Sequence, residues 1–208
     1  MAQRNVLENS IDLFRTLRGP AKILYAPATL PMPVLAQQII NATTGAAATG
    51  WSTFGLTRGG INVSKNLDIA VRDDVDQILG AFDQDVTDRS YTISSQIAEV
   101  LDNAQLGIAF DVGVPTVVST AGATQVMIPL DSGANKTTER RIAVVYPKAE
   151  EGKVLAFVFR RAALSGGEKV FRFDKNDPAS PALEFRAFPE ISTTINPDDA
   201  YGRLYEVL

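Results

Sequence analysis

Along most of this chain apolar and polar positions alternate with a period of two, the spacing of a strand with one buried face. Leu67, Ile69 and Val71 alternate with Asp68, Ala70 and Arg72. Tyr91, Ile93 and Ile97 share one parity, while Asp88, Ser90, Thr92, Ser94 and Gln96 share the other. The second face is small or polar throughout, and only Ser95 interrupts the apolar one. Further strands are expected at Lys22–Tyr25, Thr116–Thr120, Thr124–Leu130, Ile142–Tyr146, Leu155–Phe159, Leu183–Ala187 and Tyr201–Val207. Turn residues separate them: Ala121-Gly122-Ala123, Ala149–Gly152 and Ser165-Gly166-Gly167.

Two stretches change period. Ile97, Val100, Leu101, Ala104 and Ile108 fit a short helix with Asp102 and Asn103 outward. Val6, Ile11, Phe14 and Leu17 give helical spacing within an N-terminal extension, residues 1–20, stopped by Gly19-Pro20. Many short strands with one helix predict a mostly β fold, an antiparallel β-sandwich or barrel with a flanking α-helix, over residues 21–208. From Val34 to Gly50 the chain turns small and polar, and Asn41 to Gly50 has almost no bulk. Residues 31–60 are therefore expected to form a long loop or arm, mobile in an isolated copy and ordered between copies.

Composition narrows the chemistry. The chain has no cysteine and no histidine. Disulfides, thiolate nucleophiles and cysteine metal sites are thereby excluded, and the commonest general base is missing. No phosphate-binding glycine loop and no nucleophile elbow occur. Asp83, Asp85 and Asp88 have the start of a calcium-loop spacing, but Asp88 stands where the turn glycine belongs and Ser94 where the bidentate glutamate belongs. Asp73, Asp74 and Asp76 offer paired carboxylates for hydrolysis, although loop positions explain them equally. No catalytic residue, metal site or cofactor is expected. Met1–Ser10 lacks the apolar core of a signal peptide, and no run is long enough to span a membrane.

Charge is unevenly spread. Asp68 to Asp111 holds ten acidic and two basic residues, net -8, within a chain of net -4. An acidic surface and more basic ones elsewhere are expected. The pairs Arg140-Arg141 and Arg160-Arg161 have two readings, phosphate contacts or pairing with acids of a neighbouring copy. Trp51 and Phe54 likewise read either as interface anchors or as core residues at the start of a strand.

Several stretches, in order, resemble major tail tube proteins of long-tailed bacteriophages. They are Trp51 to Val63 with its Gly59-Gly60-Ile61 run, Asp88 to Ile108, Arg141 to Pro147, Leu183 to Pro189 and Tyr201 to Glu206. The resemblance covers residues 21–208 and implies rings, usually of six copies, stacked into a hollow tube. Such a tube surrounds the tape-measure protein, meets tail-terminator and distal tail proteins, and lets DNA pass without specific binding. Its place would be the virion tail. On this reading Asp68, Asp88, Ser90, Thr92, Ser94 and Gln96 face the lumen, because an acidic or neutral lining does not grip phosphate. Trp51, Phe54, Arg140, Arg141, Arg160 and Arg161 are expected at contacts between subunits or rings. Other readings are a tail terminator, a head-tail joining protein, a secretion-tube ring, a β-sandwich module binding sugar or peptide, and a carboxylate-dependent hydrolase.

Overall fold

The computed structural model describes residues 21–41, 43–55, 57–72, 83–97, 103–111, 116–120, 123–129, 137–147, 153–166, 182–192 and 194–207. The expected N-terminal helix lies outside them. The strands are β1 (Lys22–Pro27), β2 (Ser52–Thr53), β3 (Thr57–Arg72), β4 (Asp83–Ile97), β5 (Thr116–Thr120), β6 (Ala123–Met127), β7 (Arg140–Pro147), β8 (Val154–Leu164), β9 (Ala182–Phe188) and β10 (Gly202–Glu206). One helix, α1 (Asn103–Ala109), follows β4. The fold is mostly β and antiparallel, and every strand expected from the alternation is present. Of the helical pattern, Ile97 lies in β4, Ala104 and Ile108 lie in α1, and Val100, Leu101 and Asp102 lie outside the described residues.

Eight strands form one sheet in the order β2-β1-β7-β8-β9-β4-β3, with β10 also on β8. β9 pairs with Arg161–Leu164 and β10 with Leu155–Phe159, so the two lie end to end along one edge of β8. β5 and β6 form a separate two-stranded sheet.

The sheet curls over its own inner face. Ile23, Ile142, Val144 and Phe159 from β1, β7 and β8 meet Ile61, Ile93, Ile97, Leu183 and Phe185 from β3, β4 and β9 in one apolar cluster. Phe54 sits at its centre, fully buried, with its ring 4.6 Å from Tyr25 and 5.7 Å from Phe185. The opposite face of β1, β7 and β8 carries a second cluster of Leu24, Ala143, Val145, Ala156 and Val158. Residues 30–51 cover that face through Ala36, Ile39, Ile40 and Trp51. The expectation of a loop with little core material is thus corrected. The small-residue run is bracketed by Ile39, Ile40 and Trp51, which anchor it to the sheet, and the Lys22 ammonium donates to the Gly45 carbonyl at 2.8 Å. β3 also begins earlier than its alternation implies, because Gly59 and Gly60 form an irregularity between Arg58 and Ile61.

Three tyrosine hydroxyls donate to backbone carbonyls, two across the curl and one to the covering segment. Tyr146 on β7 reaches Ile61 on β3 at 3.0 Å, although three strands separate them in the sheet order. Tyr201 reaches Arg89 on β4, and Tyr205 on β10 reaches Pro33. Burial pushes all three phenols above their ordinary pKa. A raised folded pKa means stability present below the unfolded value and lost as pH rises through the folded one. Thermal stability should therefore fall steeply only above about pH 10, and Tyr146→Phe should weaken that alkaline fall while costing about 1 kcal/mol at neutral pH. A thermal-melt series against pH measures both.

Three substitutions separate packing from backbone constraint. Phe54→Ala should cost about 4 kcal/mol, roughly 8–16 °C in Tm, by opening a cavity between Tyr25 and Phe185. Gly202 has φ +149°, and a Cβ there would lie 1.9 Å from the Val158 carbonyl oxygen. Gly202→Ala should cost about 3 kcal/mol, whereas Gly59→Ala, where a Cβ meets nothing within 4 Å, should cost about 1 kcal/mol from its positive φ alone. Calorimetry of the three variants orders them.

Candidate assembly surface

β3 and β4 pair along nearly their whole length. The register brings the expected polar residues together: Ser94 opposite Asn62, Thr92 opposite Ser64, Ser90 opposite Asn66, and Asp88 opposite Asp68. Gln96 lies at the near end, opposite Arg58. β9 extends the face with Glu184 beside Ser94 and Arg186 beside Thr92. The like-charged Asp68–Asp88 pair costs a few tenths of a kcal/mol in a ladder. Asp88 Oδ1 accepts from its neighbour's Arg89 N–H at 2.8 Å, which holds the carboxylate in place.

The other face of this hairpin changes character along its length. Near α1, Ile61, Ile93 and Ile97 are buried in the first cluster. Ser95 shares that buried side because its hydroxyl donates to the Gly60 carbonyl at 2.9 Å. Farther out the Lys65 ammonium lies 5.7 Å from the Tyr91 ring, and then cover runs out. Every residue from Ser64 to Ala70 is exposed, as are Val86 to Arg89. Leu67, Ile69 and Val86 share this second face at 39%, 48% and 45% exposure. The alternation of Leu67 and Ile69 implies a buried face, but among the described residues nothing buries it. A register shift between Asp68 and Ile69, which leaves Thr87 unpaired, lies in this distal part and increases its twist. β3 is also the last strand of the sheet order, so one edge has no partner strand among the described residues. Side chains of Asp83 and Asp85, and all of Asp73, Asp74 and Asp76, lie outside the described residues.

Of the six residues expected at contacts between copies, Trp51, Phe54, Arg141 and Arg160 are buried within the subunit. Phe54 is fully buried and Trp51 nearly so, which makes both core residues of the subunit. Arg141 and Arg160 are also buried, on the second face of β7 and β8. Arg160 Nε donates to the Asp199 carbonyl at 2.8 Å, and its guanidinium approaches Glu190 at 3.4 Å. Arg161 holds Glu139 through two bonds of 2.8 and 2.7 Å. Arg140 is half-buried, and burial lowers its pKa, with Tyr25 and Asp111 opposing. Arg141 donates from Nη2 to the Ala28 carbonyl at 3.3 Å, while Nε and Nη1 meet no acceptor. Arg141 shares the parity of Ala143 and Val145, and Arg160 that of Val158, so a buried arginine here leaves strand alternation intact. The sequence pattern therefore did not separate internal from external use. Arg203, which the sequence reading did not single out, pairs with Asp199 and holds that carboxylate below its ordinary range. That contribution is present above the unfolded carboxylate pKa and is lost as pH falls through the lowered one.

Among the described residues no three of His, Cys, Asp and Glu are grouped to hold a metal ion, and no helix is long and apolar enough to cross a membrane. A scan against protein-family models and a search of curated proteins gave no match to this chain. What the site offers is a projecting ribbon with one acidic and one apolar face, an arrangement suited to association.

Two electrostatic consequences can be measured. Asp88→Asn should raise subunit stability by about 0.5 kcal/mol, and the gain should vanish in 1 M salt. Arg141→Met should raise it by about 1–2 kcal/mol, since replacing an incompletely paired buried charge with an apolar chain removes a desolvation penalty. Urea unfolding at low and high salt reads both.

Proposed function

We propose that this chain is the repeating structural subunit of a long-tailed phage tail tube, with copies joined in a ring and rings stacked around a tape-measure protein and, later, DNA. The observation that carries this reading is the β3–β4 ribbon. Residues 64–70 and 86–89 are exposed on both of its faces, Leu67, Ile69 and Val86 among them, and the long edge of β3 has no partner strand among the described residues. An isolated two-stranded ribbon is marginal in water, and a long bare edge templates pairing. Repetition around a symmetry axis satisfies edge and apolar face in every copy at once.

The ordered stretches that resemble tail tube proteins support the same reading, as does the mostly β antiparallel fold. The polar face with Asp68, Asp88, Ser90, Thr92, Ser94 and Gln96 suits a lumen. A lining of this kind repels the duplex at short range, with screening beyond about 8 Å at physiological salt, whereas a cationic lining would bind it. Tail-terminator and distal tail proteins would meet the ends of the stack.

Negative-stain microscopy and sedimentation of concentrated protein, or of particles carrying it, should reveal rings or tubes of uniform width. Monomers alone in both preparations would contradict the reading. Leu67→Asp with Ile69→Asp should abolish assembly and leave the melting temperature of the subunit nearly unchanged, because neither side chain is in its core. Asp68→Lys with Asp88→Lys should keep assembly but slow DNA passage, with relief at higher salt. Unchanged passage would put this face on the outer wall.

A further inference from the structure

Two stretches of this chain carry no charge at all, one between Lys22 and Arg58 and one between Asp111 and Asp131, although charged residues make up 21% of the sequence. The second contains the β5–β6 hairpin. Val117 faces Val126 across it and Thr116 faces Met127, so Val117 and Val126 share one face while Val118 and Met127 share the other. All four are exposed, Val117 at 69% and Met127 at 56%. β5 and β6 pair with each other and, among the described residues, with no other strand. A hairpin with apolar residues on both faces, bare edges and no gatekeeping charge is marginal alone and prone to pair.

The first stretch provides a matching surface. An open groove of about 510 Å³ is lined by Leu30, Pro31, Met32, Pro33, Val34 and Trp51. Val34 and Leu35 stand largely exposed beside it, at 72% and 58%. The wall is fixed from behind: Tyr205 donates to the Pro33 carbonyl, and the Leu30 amide donates to the Pro27 carbonyl at 3.0 Å. No ionised group lies along the lining to pair with a charge on an incoming segment. A charged partner would lose hydration there without compensation, while an uncharged aliphatic hairpin meets no such cost.

We propose that the β5–β6 hairpin is an exchange arm that docks in the Leu30–Val34 groove of a second copy of this chain. Every copy presents one arm and one groove, so the contact is head-to-tail and propagates from copy to copy. The proposal rests on the self-assembling part of the function above and not on the tube as such.

The cysteine-free chain allows clean disulfide trapping. Full-length Val117→Cys and Val34→Cys chains are mixed and oxidised. The mixed pair should crosslink roughly tenfold more than either chain alone, because docking raises the effective concentration of the two thiols. Val117→Cys mixed with Asn62→Cys, on the polar face of β3, serves as the control. Val117→Asp with Val126→Asp should prevent assembly. Crosslinking of the mixed pair no greater than the control overturns the proposal, as does efficient crosslinking of Val117→Cys to itself alone. If the aspartate variant folds and assembles normally, the proposal also fails; if it does not fold, the trapping result decides alone. Trapped assemblies that microscopy finds not to be tubes would keep the arm and discard the tube, whereas tubes that form without trapping would keep the tube and discard the arm.

Discussion

β7 and β8 have almost no face left for water. Ile142 to Val145 are buried in unbroken succession, as are Val158 to Arg160. One side of these strands feeds the cluster around Phe54 and the other feeds the cluster around Trp51. Two covers are therefore required from a single chain. The sheet provides one by curling so that β9, β4 and β3 return over β1 and β7, and residues 30–51 provide the other. Aromatic contacts through Phe54 and hydroxyl bonds from Tyr146 and Tyr201 fix the curl, and the Tyr205 hydroxyl holds the cover at Pro33.

Among the described residues the apolar side chains of β7 and β8 are used in these two clusters, and residues 64–70 and 86–89 stay exposed. The ribbon carries Leu67, Ile69 and Val86 beside Arg89 on one face, and on the other the like-charged pair Asp68 and Asp88. The β5–β6 hairpin repeats the situation without charge. Exposed apolar side chains on both ribbons, beside a center packed on two faces, are the physical content of the proposed assembly.

Strand positions were legible because period-two alternation survives wherever one face is wet. The polar face from Asp88 to Gln96 and its junction with Asp68 followed from parity and a single antiparallel pairing. Three features were not legible, each for a definite reason. Ala143 and Val145 are small or aliphatic on the face opposite Ile142 and Val144, so burial of both faces of β7 shows only as a continuous apolar run. Gly59-Gly60 signals a loop locally, yet tertiary pairing with β4 carries the strand through it as an irregularity. Arg141 and Arg160 occupy alternate strand positions that a surface arginine would also occupy, and only the second layer over β7 and β8 places them inside. Leu67 and Ile69 show the converse: alternation marked a face for burial, and both side chains stand exposed.

Hydrogen exchange of backbone amides, compared between dilute isolated subunits and the concentrated assembly, tests the central claim most directly. Amides of β7 and β8 should be strongly protected in both states, since their bonds lie between two packed layers. Amides of residues 64–70 and 86–89 should exchange fast in the isolated subunit and slow by orders of magnitude on assembly, because neighbours then cover the ribbon. Equal protection of the ribbon in both states would contradict the account.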